Sequence, residues 1–418
     1  MSRENSILHY SDASSITPAI DMNRSQRESA GKKDISSNRP NTNGKDIGFE
    51  KRRKYQEKQN RKNAAIDIQR TRREWVERHS SFVTWLTDKS LIEQRKSKGR
   101  KRKRDAVIET EEASISDLLD PYTDLKEGNA QDGNTFVAEG TEAVRLLIQQ
   151  SANHKSQVGV KVHSILVKPC AFFEKPVRLL DDVMKAMDEK KCPPFHVIIA
   201  SESVMSSLAG FHIARGAMAC GYIPQRDEAW LKAYLTQQQT TASAAGTRIL
   251  ALDKITDTAN LGSMIRCAAA FGVLAVVLSH DSCNAWYRRS VRVSMGHIFS
   301  IPTIRVENLA NFITDIQKNH QFTSYAAVID PHADIVLENL QHQHRETSKS
   351  NRWCCVMGNE ANGICERVVN ACSNTIRIDM AMGVDSLSVP VATGILLHGL
   401  RAAEKRSEAD NKQSEISE

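Results

Sequence analysis

No cysteine occurs in the first 169 residues of this 418-residue chain, and the nine that follow include no CxxC pair. That spacing argues against a zinc site and against the disulfide framework of a small secreted domain. The thiols sit in apolar stretches such as Trp353-Cys354-Cys355-Val356, so reduced, buried cysteines in an intracellular protein are expected, with no bound metal. Long hydrophobic runs are also missing: none approaches the ~20 residues a membrane helix needs, and residues 1–30 have no signal-peptide core. A soluble chain with no membrane partner is the expectation. No G-x-G-x-x-G follows a strand-like run, which disfavours a conventional dinucleotide-binding enzyme.

What the chain has is charge in blocks. Its formal net charge of +7 conceals +14 in residues 51–104, where 20 Lys and Arg stand against 6 Asp and Glu. Residues 105–133 hold 9 acids and one lysine, and residues 1–50 balance at seven each. Basicity concentrated in one segment suits a polyanion bound through counterion release, and nucleic acid is the partner that this implies. The run at 95–104 ends in Lys101, Arg102, Lys103 and Arg104. It reads equally as an RNA contact, a nuclear import signal or a solvated tail, and nuclear localisation is preferred over mitochondrion or cytosol.

The length predicts two folded domains with added segments. Residues 1–48, polar and without apolar period, read as disordered. Residues 49–104 read as a basic helical extension, with Ile68, Trp75, Phe82 and Leu86 at near-helical spacing. Residues 105–133 read as an acidic, extended linker. A small α/β domain follows over 134–236, its core at 134–226, with strand-like runs at 164–167 and 196–200. A polar connection at 237–246 leads to a second domain, 247–405, and a disordered tail, 406–418. In the second domain strands at 248–252, 274–279, 324–329, 353–357 and 375–378 alternate with helices near 260–271, 366–371 and 386–403. That alternation predicts a parallel sheet covered on both faces, with chemistry in the loops beyond the strands' carboxyl ends.

Three such loops hold unusual residues. After 248–252 come Asn260, suited to cap a helix, Gly262, which permits close backbone approach, and Arg266, whose fork can reach a phosphate or ribose. After 353–357, Gly358 and Gly363 flank Glu360 in a tight loop. After 375–378, a glycine-containing loop reaches Ser386 as N-cap, Pro390 in the first turn, and small residues beyond. Singly, a capped helix with a surface arginine, a plain turn and an ordinary helix start explain them equally well.

Together and in this order, they resemble the three signature motifs of the SpoU/TrmH class of the SPOUT methyltransferase superfamily. N-x-G-x-x-x-R-x-A is complete at Asn260, Gly262, Arg266 and Ala268, and G-x-E-x-x-G at Gly358, Glu360 and Gly363. Ser386-Leu387 with the following Val-x-Val-Ala is close to S-L-N-V-x-V-A, except that Ser388 stands where the family carries Asn, and Pro390 where small residues are common. The likeness covers residues 247 to about 403. Phe136-x-x-Glu139-Gly140 also resembles the opening of that family's L30e-like RNA-binding domain.

The resemblance implies a C-terminal domain tied in a trefoil knot, an exception to the rule against threaded chains. It implies S-adenosyl-L-methionine as cofactor, held by backbone groups of Gly358, Ile378 and Leu387 with Met380 and Ser388 nearby. It further implies a homodimer and methylation of a ribose 2′-hydroxyl in rRNA or tRNA. Arg266 is the implied catalytic arginine, with Glu360, Asn260 and Ser388 in the catalytic set. A guanidinium stays protonated, so Arg266 is expected to position phosphate and hydroxyl rather than abstract a proton, and Glu360 is the other titratable group. The competing expectation is a non-catalytic RNA-binding scaffold of the same fold.

Overall fold

The computed structural model describes residues 74–86 and 115–417, apart from 124, 126–132, 175–178, 190, 214–215, 241–246, 341–351 and 385, with three isolated positions nearer the N-terminus. The disorder expected for 1–48 and the basic run at 95–104, with Lys101, Arg102, Lys103 and Arg104, lie outside the described residues. Everything below belongs to one compact unit, residues 68–418.

The first sheet holds β1 (Val83–Leu86), β2 (Thr135–Glu139), β3 (Lys161–Val167), β4 (His196–Ala200) and β5 (Ala217–Tyr222) in the order β1-β4-β3-β5-β2. β1, β4 and β3 run parallel, whereas β5 lies antiparallel between β3 and β2. Helices α1 (Ile115–Leu119), α2 (Thr141–Ser151), α3 (Pro169–Phe173), α4 (Leu179–Met187) and α5 (Glu202–Ala209) accompany it.

Two expectations are corrected here. A basic helix does not run through 49–94: the helical residues 74–78 end in a turn, and 83–86 form an edge strand paired with β4 from Val83↔Val197 to Leu86↔Ala200. β-Branched Val83 and Thr84 beside Trp85 favour a pleated surface over a helix. Trp75 is fully buried, its indole N–H donating to both oxygens of Asp188 at 3.1 Å. Nor is 105–133 an extended linker throughout. Leu118, Leu119, Tyr122 and Leu125 are buried on one face of the sheet. There the Tyr122 hydroxyl donates to the Ser164 carbonyl at 2.8 Å and accepts from the Cys220 amide at 2.9 Å. Apolar burial outweighs the repulsion of the surrounding acids.

The second sheet is wholly parallel, as expected. It comprises β6 (Arg248–Leu252), β7 (Ala275–Ser279), β8 (Thr303–Val306), β9 (Thr323–Ala327), β10 (Ile335–Val336), β11 (Trp353–Met357) and β12 (Asn374–Arg377), in the order β10-β12-β9-β11-β6-β7-β8. Its central strands are buried on both faces, hence the near-continuous apolar runs ILAL, AVVL and CCVM. Helices α6 (Glu228–Thr240), α7 (Thr258–Ala270), α8 (Arg288–Val293), α9 (Leu309–His320), α10 (Glu366–Val369) and α11 (Val389–Ser417) belong with it. Leu231 and Leu235 of α6 pack with Ile249, Ala251 and Phe312, so this helix joins the second domain rather than closing the first at 236. Residues 406–417, expected as a disordered tail, continue α11. Their Glu, Lys, Ala and Gln favour helix, with neither Gly nor Pro to stop it.

One core passes from sheet to sheet. Phe136 of β2 lies 4.9 Å from Trp286 and 5.2 Å from Phe299, and buried Glu139 accepts from Arg288 of α8 at 3.0 Å. The F-x-x-E-G segment thus fastens the first domain to the second. At the far end of the sheet, Arg248 makes a bidentate pair with buried Glu404 of α11 at 2.8 Å, and the Trp353 indole donates to the same carboxylate at 3.0 Å. No cysteine is disulfide-bonded; Cys170 is exposed and the other eight are at least partly buried.

Candidate active site

β6 and β11 are hydrogen-bonded neighbours, and β12 lies two strands from β11, with β9 between them. The three singled-out segments therefore leave the same edge of one parallel sheet. Asp257, not Asn260, caps α7: its carboxylate accepts from the Ala259 amide at 2.6 Å and the Asn260 amide at 2.9 Å. Asp and Asn cap equally well, so sequence could not choose between them. With the cap supplied by Asp257, the Asn260 side chain is released, and it donates to the carboxylate of Glu360.

Glycine is required at two of the motif positions for lack of space. A Cβ on Gly262 would lie 2.6 Å from the Ser290 carbonyl oxygen, because α8 crosses α7 there. A Cβ on Gly358 would lie 2.2 Å from the carbonyl carbon of Gly363. The 358–363 loop closes on itself through the Asn359 and Gly363 amides, each donating to the other's carbonyl at 3.0 and 2.9 Å, with Gly363 at φ 64°. Backbone, rather than side chains, lines this turn.

Two residues outside the expected set stitch the first two loops together. The Asn359 side chain donates to the Lys254 carbonyl at 3.0 Å and the Thr256 hydroxyl at 3.3 Å, and accepts from the Ala361 amide at 2.8 Å. Buried Asp253 accepts from the Cys365 amide at 2.8 Å. Only their position directly after apolar strands could have marked them. Arg305 of β8 fixes the neighbouring 280–283 loop, donating to the carbonyls of Ser279, His280, Ser282 and Cys283 at 2.6–3.0 Å. Burial pushes the Cys283 thiol up to about 11, with Asp257 and Glu360 adding to the rise against Arg305.

The third segment closes on α7 from the other side. The helix begins at Val389, so Ser388 rather than Ser386 stands at its cap, its carbonyl accepting from Ala392 at 3.0 Å. The Cys267 thiol approaches the Pro390 carbonyl at 3.9 Å, and a Cβ on Gly394 would meet the same sulfur at 3.7 Å. Ile378, Met380 and Leu387 are half-buried, while Ser388 is exposed.

Arg266 is not joined to the Asn260–Glu360 pair by any hydrogen bond in the described residues. Six residues further along α7, it lies about 9 Å up the helix axis. Its side chain is exposed, and its charge, after burial, holds the His297 imidazole below its ordinary pKa. An exposed arginine on α7 supplies a cationic group, and the Asn260–Glu360 pair at the start of the same helix, beside backbone-lined loops, supplies a polar acceptor.

Comparison with known proteins agrees with this arrangement. Residues 247–398 match the SpoU rRNA Methylase family. The 23S rRNA (guanosine-2′-O-)-methyltransferase RlmB of Escherichia coli K12 is 30% identical over 219 residues, covering 51% of this chain and 86% of its own length. An uncharacterized tRNA/rRNA methyltransferase of Mycobacterium tuberculosis is 29% identical over 206 residues, 48% of this chain; the match spans 64% of that relative, just under two thirds. The crystal structure of the SpoU methyltransferase AviRb from Streptomyces viridochromogenes, in complex with the cofactor AdoMet, shares the fold at 18% identity. Its TM-score is 0.51, over 68% of this chain and 97% of that one. This chain belongs to the SpoU rRNA methylase family.

Proposed function

We propose that this protein transfers a methyl group from S-adenosyl-L-methionine to a ribose 2′-hydroxyl of structured RNA, rRNA or tRNA, and does so as a homodimer. The observation that carries the reading is the Asn260–Glu360 bond, which brings the first two motifs together where Asn359 and Cys267 tie in their surroundings and the third motif.

The residues present suit the cofactor. Gly358, with no room for a side chain, turns backbone toward the loop, and backbone groups of Gly358, Ile378 and Leu387, with Met380 and Ser388 beside them, would hold it. When bound, it supplies a sulfonium-activated methyl group, so the protein's work is positioning and proton removal. Arg266 anchors a phosphate through its guanidinium fork while orienting the hydroxyl. Glu360, held by the Asn260 amide, is the carboxylate poised to accept the hydroxyl's proton.

The finer parts of the reading are the trefoil knot within 247–405, an L30e-like RNA-binding role for the first domain, and nuclear targeting through 95–104. The dimer is supported by Met382, Val384, Val391 and Ile395, large apolar side chains left exposed around the start of α11, a patch that a second copy would cover. The name of the Escherichia coli relative makes rRNA the first substrate to test. Ribose methylation mapped across total RNA with and without this protein tests the whole proposal. Loss of one methylated nucleotide in its absence is expected, and an unchanged map with cofactor still bound favours the RNA-binding scaffold.

A further inference from the structure

Trp85 is the most exposed tryptophan side chain in the described fold, 51% open to solvent, on an edge strand of the first sheet. Its neighbours in β1, Val83 and Leu86, are buried, so the strand is anchored while the indole is presented outward. The ring is backed by Phe173 at the end of α3: the two planes are within 15° of parallel and their centroids 6.2 Å apart, an offset stack. The stack fixes the orientation of a large aromatic ring while leaving about half of its surface uncovered, open to a second planar group.

The chemistry of that occupant is set by the sequence around the strand. Within nine residues of Leu86 begins the run 95–104, in which eight of ten residues are Lys or Arg. At no more than ~3.6 Å per residue, the start of that run is tethered within about 36 Å of Trp85. A polyanion drawn to the cationic segment therefore arrives beside an aromatic platform. Exposed aromatics backed by a second ring and accompanied by positive charge are the way single-stranded nucleic acids are bound, since every base has a face to stack.

We infer that Trp85, supported by Phe173, is a stacking platform for an unpaired base of the RNA substrate, outside the methyl-transfer site. This rests on the RNA methyltransferase reading and adds to it a preference for a target with single-stranded nucleotides near the modified one. The first sheet then recognises RNA through β1, a strand contributed by the segment that precedes the family-like domains.

The test uses the full chain and two labelled probes, a twelve-nucleotide oligouridylate and a twelve-base-pair RNA duplex, with affinity read by fluorescence anisotropy at several salt concentrations. Trp85→Ala should weaken the oligouridylate about ten-fold, Trp85→Phe should restore most of it, and the duplex should be little affected. The salt slope should stay at its wild-type value, because stacking releases no counterions. Calorimetry with S-adenosylhomocysteine on the same variants reads the methyltransferase site separately, and binding there should be unchanged. Equal oligouridylate affinity for wild type and Trp85→Ala overturns the platform, as does an equal loss on both probes. Wild type that binds the cofactor product but neither RNA overturns it too while leaving the methyltransferase reading in place.

Discussion

The side-chain amide of Asn260 donates to the carboxylate of Glu360, one hundred residues further along the chain. The bond joins the first turn of α7 to the loop after β11, and it exists because Asp257 has taken the capping role. Asn260→Ala leaves Glu360 without that donor. Glu360 is exposed, so stability should change little, while misplacement of the carboxylate should slow methyl transfer about 10- to 100-fold. Labelled-methyl transfer to RNA and thermal unfolding, measured side by side, decide the matter; full activity in Asn260→Ala removes the pair from the site.

Arg266 is exposed on α7, and among the described residues no hydrogen bond or ion pair holds its side chain. Arg266→Ala should keep the melting temperature and cofactor affinity while methyl transfer falls at least ~100-fold. Arg266→Lys should recover little, because a point charge cannot replace a bidentate fork. Ser388→Asn, which restores the family's residue at the exposed cap of α11, serves as the companion. If wild type and Ser388→Asn are both silent on RNA while cofactor binds, the scaffold reading prevails.

The second domain was far more legible than the edges of the molecule. β6 and β11 fall on the expected residues because strands buried on both faces announce themselves as unbroken apolar runs. β8 was missed: Thr303–Val306 is four residues long with Arg305 in it, and only the structure reveals that this arginine serves the adjoining loop. Charge hid the rest. Lys and Arg around Val83–Leu86 suggested a basic helix, and Asp and Glu around Leu118, Leu119 and Tyr122 an extended linker, although a few apolar side chains in each were enough to join a sheet and its core. Which of Asp257 and Asn260 caps α7 depends on where the chain turns, a tertiary matter.

Tyr122 offers a direct check on the packed acidic segment. Its hydroxyl lies between the Ser164 carbonyl and the Cys220 amide in the interior, and burial raises its pKa well above the usual phenol value. Tyr122→Phe leaves the buried Cys220 amide without that acceptor, which should cost about 1–3 kcal/mol. Urea unfolding followed by a first-domain signal measures it. A free linker would make the substitution silent.

Glu404 holds α11 to the sheet, and its carboxylate is almost wholly buried between Arg248 and the Trp353 indole. Glu404→Ala leaves Arg248 charged and largely enclosed, a change expected to destabilise by about 3–5 kcal/mol. Replacing both partners, Arg248→Met with Glu404→Met, should cost much less, since no uncompensated charge remains. Melting temperatures of the single and double variants test this; a double variant no better than Glu404→Ala would show that the pair acts through packing alone.

The first domain should also lose stability on mild acidification. His163 lies edge-on to Tyr222, with its Nδ1 3.0 Å from the Ser164 hydroxyl, and His196 packs against Phe82. Burial lowers the pKa of both imidazoles, and His196 depresses His163 further. A lowered value in the fold means that the unfolded chain takes up the proton first. Stability is then complete above the ordinary histidine pKa of about 6.5 and falls as pH drops through it toward the folded values. The melting temperature should accordingly decline between pH 7.5 and 5.5. The decline should be smaller in the His163→Gln, His196→Gln double variant, in which neither group can charge. His297 and His320 are shifted in the same direction and contribute equally to both proteins, so the difference between the two curves isolates the pair. Parallel curves for wild type and the double variant would place the acid sensitivity elsewhere.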